Sequence, residues 1–112
     1  MIIGIDLGTT NSLAACFVDG RACIIPNRLR KNLTPSVVAV DGKAQILVGE
    51  TAREYGLLHP ERTAELFKRF MGSERQYDLG GHKFRPEDLS AMVLRSLKED
   101  AESFLGEQVQ EA

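Results

Sequence analysis

The residues with the clearest potential for chemistry lie near the start of the chain, where an apolar run ends in a carboxylate and a small polar turn. Asp6 closes the run, and the turn contains Gly8, Thr9, Thr10 and Asn11. Glycine lets the backbone approach a ligand closely, and consecutive N–H groups with two hydroxyls suit phosphate oxygens. A carboxylate at the end of such a strand is typical of a site with a cation, a metal-bound water or a donor nearby. The segment predicts a phosphate-holding loop.

The same residue types also suit an ordinary hairpin turn, because Gly, Asn and Thr are common in turns for conformational reasons. Short glycine-rich motifs match many unrelated turns. On residue type alone, a phosphate loop and a plain turn therefore both remain open.

β-Strands in the first part of the chain must position this loop. Five strands are predicted from apolar runs between turn residues, at residues 1–7, 12–18, 21–25, 36–40 and 45–48. The first strand is expected to be buried on both faces, since its β-branched run does not alternate with polar residues. The hairpin around Asp19 and Gly20 has two apolar faces, so this sheet is expected to be covered on both sides.

Helical patterns dominate the rest of the chain. Helices are predicted at residues 50–58 and 61–70, and an exposed hairpin at residues 75–84. The clearest helix begins at Pro86 and ends at a Gly106 cap. Its apolar stripe indicates a side that faces a core, and Met92 and Phe104 are expected there as core residues. The stripe consists of Leu89, Met92, Val93, Leu97, Ala101, Phe104 and Leu105.

The two cysteines are predicted to face each other across the first hairpin. Counting outward from the two-residue turn pairs Cys16 with Cys23 at a hydrogen-bonded position, where the wide Cα separation fits a disulfide poorly. Two reduced, buried thiols are therefore expected. A zinc site is not expected, because His59 and His82 lie far away in sequence and show no ligand spacing.

Composition indicates one modest globular domain or part of a larger one. The 112 residues are 43% hydrophobic, which is enough for a core. The net charge of −2 argues against broad binding to nucleic acid or to membranes, and the basic cluster at residues 28–31 is interpreted as a solvated loop. The sequence shows no signal-like or membrane-spanning run, so a cytoplasmic location is expected.

The string at residues 4–12 resembles the first phosphate loop of the actin-like ATPase superfamily, in which the loop joins two antiparallel strands. DnaK-type heat-shock chaperones, sugar kinases and bacterial actin homologues belong to that superfamily. Later segments resemble the DnaK-type chaperones in particular, in order and over essentially the whole chain. These segments are residues 33–38, 47–52, 66–72 together with Pro60 and Thr63, 86–91 and 105–107. Details at residues 33–36, 66–69 and 94–102, with a short segment at 73–85, resemble the HscC branch of that family.

The resemblance implies an α/β fold of the actin-like ATPase, ribonuclease H-like type. The chain would form part of lobe I, with a β-sheet of about five strands and a helical subdomain. Residues 1–40 would carry the sheet portion with the phosphate loop, and residues 41–112 would form a mostly helical inserted subdomain.

The resemblance also implies roles for the site residues. The loop residues Gly8, Thr9, Thr10 and Asn11 would bind the nucleotide phosphates. Asp6 would hold magnesium through water. Lys68 would be the catalytic lysine near the γ-phosphate, where it could orient the attacking water and stabilise negative charge. By residue type alone, Lys68 would instead be a surface lysine on an amphipathic helix.

The implied function is that of an ATP-dependent chaperone that uses ATP, ADP and magnesium. Unfolded peptides, a J-domain co-chaperone and a nucleotide exchange factor are the implied partners of the full-length protein. A second glycine-rich phosphate loop and an adenosine pocket are not found in the sequence. The chain is therefore expected to be an N-terminal fragment of the ATPase domain, inactive by itself and able to self-associate. The alternatives are a fragment of an actin-like sugar kinase and a stand-alone dimerising interaction module.

Overall fold

The computed structural model describes residues 2–109, and residues 4–65 contain the strands of two antiparallel sheets. The first sheet contains β1 (Gly4–Leu7), β2 (Asn11–Val18), β3 (Arg21–Ile25) and β4 (Thr34–Pro35). The second contains β5 (Val37–Val40), β6 (Ile46–Val48) and β7 (Thr63–Glu65). β2 pairs with every other strand of the first sheet, and β5 is central in the second. The strands predicted at 36–40 and 45–48 are thus confirmed, but they lie in a sheet separate from the first three.

Two helices and a short hairpin complete the described structure. They are α1 (Glu50–Leu58), β8 (Tyr77–Leu79), β9 (His82–Phe84) and α2 (Pro86–Leu105). Among residues 2–109, no helix combines the length and the apolarity that a membrane crossing requires.

α2 confirms the helix predicted from Pro86 to a Gly106 cap. Pro86 occupies the first turn, and the Asp88 carboxylate accepts a hydrogen bond of 2.8 Å from the backbone N–H of Arg85. Gly106 takes the left-handed conformation, with φ of 70°, and its N–H donates to Glu102 O. Local signals at both ends therefore fix the length of this helix.

The buried side of α2 joins the cores of both sheets. Leu89, Val93 and Leu97 pack with the second sheet and with Phe67. Ala101 packs against the first sheet, in a cluster with Ile3 and Val109. Met92 packs against the first of these cores, as expected, but the core prediction for Phe104 is wrong. Phe104 is 60% exposed and lines an open cleft beside Pro26 and Asp100.

The helix predicted at residues 61–70 is also wrong. A short 3₁₀ turn at Pro60–Arg62 leads into β7, and a second one follows at Phe67–Phe70. β7 pairs with β5, with Ala64 opposite Val38 at the centre of the core. Leu66 then takes a left-handed backbone with φ of 59°, which a continuous helix does not allow. Pairing with a distant strand overrides the helical pattern.

The first sheet is covered on one face only, so the prediction of cover on both sides is wrong. Ile3, Ala14 and Ile25 are buried toward α2. The opposite face is open, and Phe17 there is 70% exposed. Of the residues in β1, Gly4 and Asp6 are exposed, so this strand is not buried on both faces either. Gly4 and Asp6 lie on the open face of the sheet, the same face as Phe17.

The predicted cross-strand register of the cysteines is confirmed. Cys16 lies directly opposite Cys23, and both thiols are free. Cys16 is buried, but Cys23 is exposed, so the prediction of two buried thiols is wrong for Cys23. Among the described strands, β3 pairs with β2 alone. Its residues Arg21 to Ile24, which include Cys23, are all exposed.

Candidate functional site

The turn between β1 and β2 is tight, and Gly8 is the residue that makes it possible. A Cβ atom at Gly8 would lie 2.2 Å from the backbone oxygen of Asn11, much closer than real Cβ contacts allow. Gly8 is not among the residues with positive φ. The glycine is therefore required because of close backbone approach, not because of a left-handed conformation.

Hydrogen bonds from Ser36 hold the turn at two points. The Ser36 hydroxyl donates to Gly8 O at 2.8 Å, and the Ser36 N–H donates to Thr10 O at 2.9 Å. The preceding strand β4 pairs with the start of β2, with Pro35 opposite Asn11. The loop is thus built into the first sheet on one side, while Thr10 is exposed on the other.

Lys68 lies beside the same turn although it is distant in sequence. Its amino group donates to the carbonyl oxygen of Leu7 at 2.5 Å across a separation of 61 residues. The 3₁₀ turn that carries Lys68 is anchored by Phe67, which is fully buried in the core with α2. Lys68 itself is exposed, so its ammonium group is accessible to a ligand of the loop.

Asp6 lies at the end of β1, opposite Leu13, with an exposed side chain. Between Ile2 and Val109, no group of three or more His, Cys, Asp or Glu side chains could hold a metal ion. Magnesium commonly keeps several waters and binds through one or two carboxylates and the phosphates of a substrate. A single exposed carboxylate two residues before the turn at Gly8 therefore fits magnesium held partly by water.

Further positive charge lies on the flank of the loop. Arg53 of α1 lines one cleft with Asn11 and another with Thr9 and Thr10. Glu50 interacts with Lys31 at 2.9 Å and with Arg53 at 3.3 Å. The hydrogen bond from Lys31 is the main cause that lowers the pKa of Glu50 below its usual value. Arg53 therefore lies beside the loop, in a network with Glu50 and Lys31.

The structure brings Lys68 to the turn that the sequence singled out, and Asp6 lies two residues before that turn. Gly8, Thr9, Thr10 and Asn11 form the turn, and Lys68 contacts its base. Ser36 and Arg53 are neighbours of the loop that the sequence does not predict. Nothing local in the sequence could have shown this, because β4 pairs with β2 and α1 packs against β4 and β5, all of which are separate in sequence. Backbone N–H groups and an ammonium group in this arrangement are suited to bind a phosphate oxyanion.

A family model described as Hsp70 protein matches residues 2–79 and 74–112 of the chain. The chain belongs to the Hsp70 family. A chaperone protein DnaK from Elusimicrobium minutum (strain Pei191) is 48% identical over 115 residues, which cover 99% of this chain. The match covers 19% of that relative, so the chain spans about a fifth of its length.

The Hsp70 match also confirms the predicted fold class. Nucleotide-binding domains of Hsp70 proteins have the actin-like ATPase fold, and the mixed α/β architecture with several antiparallel strands agrees with it. The match gives no support to the alternative of a sugar-kinase fragment.

Proposed function

We propose that this Hsp70-family chain contributes part of the ATP site of a DnaK-type chaperone. The observation that carries the proposal is the contact between Lys68 and the carbonyl of Leu7, which brings a cation to the turn that begins at Gly8. In this proposal the turn residues Gly8 to Asn11 bind phosphate oxygens.

Lys68 is the proposed catalytic residue. An ammonium group has three protons, and the bond to Leu7 O uses one of them, so two remain for a phosphate oxygen or an attacking water. The bond to Leu7 O also restricts where the amino group can move. Phosphoryl transfer depends mainly on positioning and on charge stabilisation, and Lys68 would supply both.

Asp6 is the proposed magnesium ligand, through bound water. Magnesium, when bound, would neutralise charge on the phosphate groups. Asp6 would hold it on the exposed side of β1, close to the loop that holds the phosphates.

The whole protein is proposed to act on unfolded peptides with a J-domain co-chaperone and a nucleotide exchange factor. This rests on membership of the Hsp70 family and on similarity to a relative named chaperone protein DnaK. The assignment to the HscC-like branch is proposed from the sequence details at residues 33–36, 66–69 and 94–102.

A polypeptide of these 112 residues alone is proposed to bind ATP weakly and not to hydrolyse it efficiently. The described residues supply one wall of the site, with one phosphate loop and one lysine. Calorimetry with magnesium ATP tests this proposal, and affinity weaker than low-micromolar is expected. Low-micromolar binding would contradict the claim that a second wall is required.

The open face of the first sheet favours a second role in self-association. Phe17, Ile24 and Ile2 are exposed together on that face. Exposed apolar surface of this kind is typical of an interface. The proposal for the 112-residue polypeptide is that this face associates with another copy.

A further inference from the structure

We propose that two buried serines, Ser12 and Ser36, are positioning residues that fix the Gly8–Thr9 peptide for binding a phosphate oxyanion. The inference rests on the proposed function, because it assigns a purpose to the turn only if the turn binds phosphate. Ser12 and Ser36 would support the loop from its buried side, whereas Asp6 and Lys68 are exposed.

The two hydroxyls form a continuous buried chain to the loop. Ser12 is 1% exposed and Ser36 is 2% exposed. Their Oγ atoms are 2.8 Å apart, and Ser36 Oγ is also 2.8 Å from Gly8 O. Buried hydroxyls without partners are costly, so these contacts constrain each other strongly.

The direction of the hydrogen bonds follows from counting protons. A carbonyl oxygen only accepts, so the single proton of the Ser36 hydroxyl must point to Gly8 O. Ser36 Oγ therefore has no proton left for Ser12, and Ser12 must be the donor between the two hydroxyls. The chain runs in one direction, from Ser12 to Ser36 to the loop.

These two hydrogen bonds determine where the N–H of Thr9 points. The described residues contain no cis peptide bonds, and in a trans peptide the C=O and the following N–H point in opposite directions. Because Gly8 O points toward Ser36, the N–H of Thr9 points away from the buried serines. Ser36 restrains the same turn again through its own N–H, which donates to Thr10 O.

A donor that is already oriented binds an oxyanion better, since no reorganisation is needed when the ligand arrives. Removal of the Ser36 hydroxyl removes the hydrogen bond to Gly8 O, so the Gly8–Thr9 peptide loses this restraint. Removal of the Ser12 hydroxyl leaves the bond from Ser36 to Gly8 in place. The effect on phosphate binding should therefore be larger for Ser36→Ala than for Ser12→Ala.

The test is an NMR titration of the 112-residue chain with magnesium tripolyphosphate. The chemical shift of the Thr9 amide at each concentration gives the affinity. Ser36→Ala should weaken the affinity about tenfold and Ser12→Ala about threefold, as expected for the loss of one direct and one supporting hydrogen bond. The double variant should be no weaker than Ser36→Ala. Ser36→Thr, which keeps the hydroxyl, should restore binding to within about twofold of the original chain.

Ser90 provides the matched control. It is also 2% exposed, but its hydroxyl contacts the sulfur of Met71 and not the loop. Ser90→Ala should leave the affinity unchanged. Equal weakening by Ser90→Ala and Ser36→Ala would overturn the inference, because it would show a general effect of removing a buried hydroxyl.

The outcomes separate the inference from the proposed function. Absence of any saturable shift in the original chain would contradict phosphate binding, and the inference would fail with it. Normal binding by the original chain together with unchanged binding by Ser36→Ala would overturn the inference alone. If Ser36→Ala does not fold, Ser12→Ala and Ser36→Thr decide, and unchanged affinity in Ser12→Ala would contradict the directed chain.

Discussion

At the scale of single residues, the site depends on close contacts between the backbone and a few side chains. Gly8 allows the turn to close, and Lys68 contacts the carbonyl that precedes it. The sequence could predict the loop, because its residue types are concentrated in one short string. It could not predict that Ser36 supports the loop, because that contact spans 28 residues and depends on how β4 returns to β2.

Substitution of Gly8 should be costly. Gly8→Ala places a Cβ atom against the backbone oxygen of Asn11, which cannot move without opening the turn. A loss of about 1–3 kcal/mol in the free energy of unfolding is expected from such overpacking. Urea denaturation measures it.

Gly42 is the control for that substitution. A Cβ atom at Gly42 would meet nothing within 4 Å, and its φ is not positive. Gly42→Ala should therefore be neutral or slightly stabilising. Equal stability of the two variants would show that the turn at Gly8 is not as tight as described.

At the scale of elements, the outcome of each prediction depends on where its signals lie. α2 is predictable because Pro86, Gly106 and the apolar stripe all belong to the helix itself. β7 is not, because its conformation is set by pairing with β5, more than 20 residues earlier in the chain. The same reasoning explains the first sheet. β1, β2 and β3 are predictable from local patterns, but the short strand β4 is not, and the cover of the sheet depends on α2.

The start of α2 is tied to the second 3₁₀ turn by a carboxylate. Glu87 Oε1 accepts a hydrogen bond of 2.8 Å from the N–H of Gly72. This bond is the main cause that lowers the pKa of Glu87 below its usual value of 4.5. Because the pKa is lower in the folded state, the stabilisation is present above the unfolded pKa and is lost as the pH falls through the folded pKa.

Glu87→Gln should therefore lower the Tm at pH 7 and have little effect well below the folded pKa. Thermal unfolding followed by circular dichroism at several pH values measures the difference. Glu54→Gln, at an exposed position on α1, is the control. A difference between Glu87→Gln and the original chain that did not change with pH would contradict the role assigned to this carboxylate.

At the scale of the whole molecule, the open face of the first sheet is the largest feature that the described structure leaves without a packing partner. Ile2, Phe17 and Ile24 expose apolar surface on the side opposite to α2. The described structure covers only one face of this sheet, and apolar surface of this kind favours association.

Phe17→Ser should reduce self-association of the 112-residue chain. Light scattering at increasing concentration gives the mean mass, which should fall toward that of a monomer in the variant. Leu57→Ser is a matched control, because Leu57 is 80% exposed but lies on α1. A well-folded original chain that stays monomeric at high concentration would contradict the association itself.

The turn after β1 and the distant Lys68 are proposed to form one phosphate-binding wall. The most direct measurement is an NMR titration of the 112-residue chain with magnesium ATP, in the original chain and in Lys68→Gln. Weak, saturable shifts are expected, largest at the amides of Gly8 to Asn11. They should be reduced in Lys68→Gln, but not in the control Lys83→Gln on β9. Shifts centred elsewhere, or the same shifts and affinity in Lys68→Gln, would contradict the proposal.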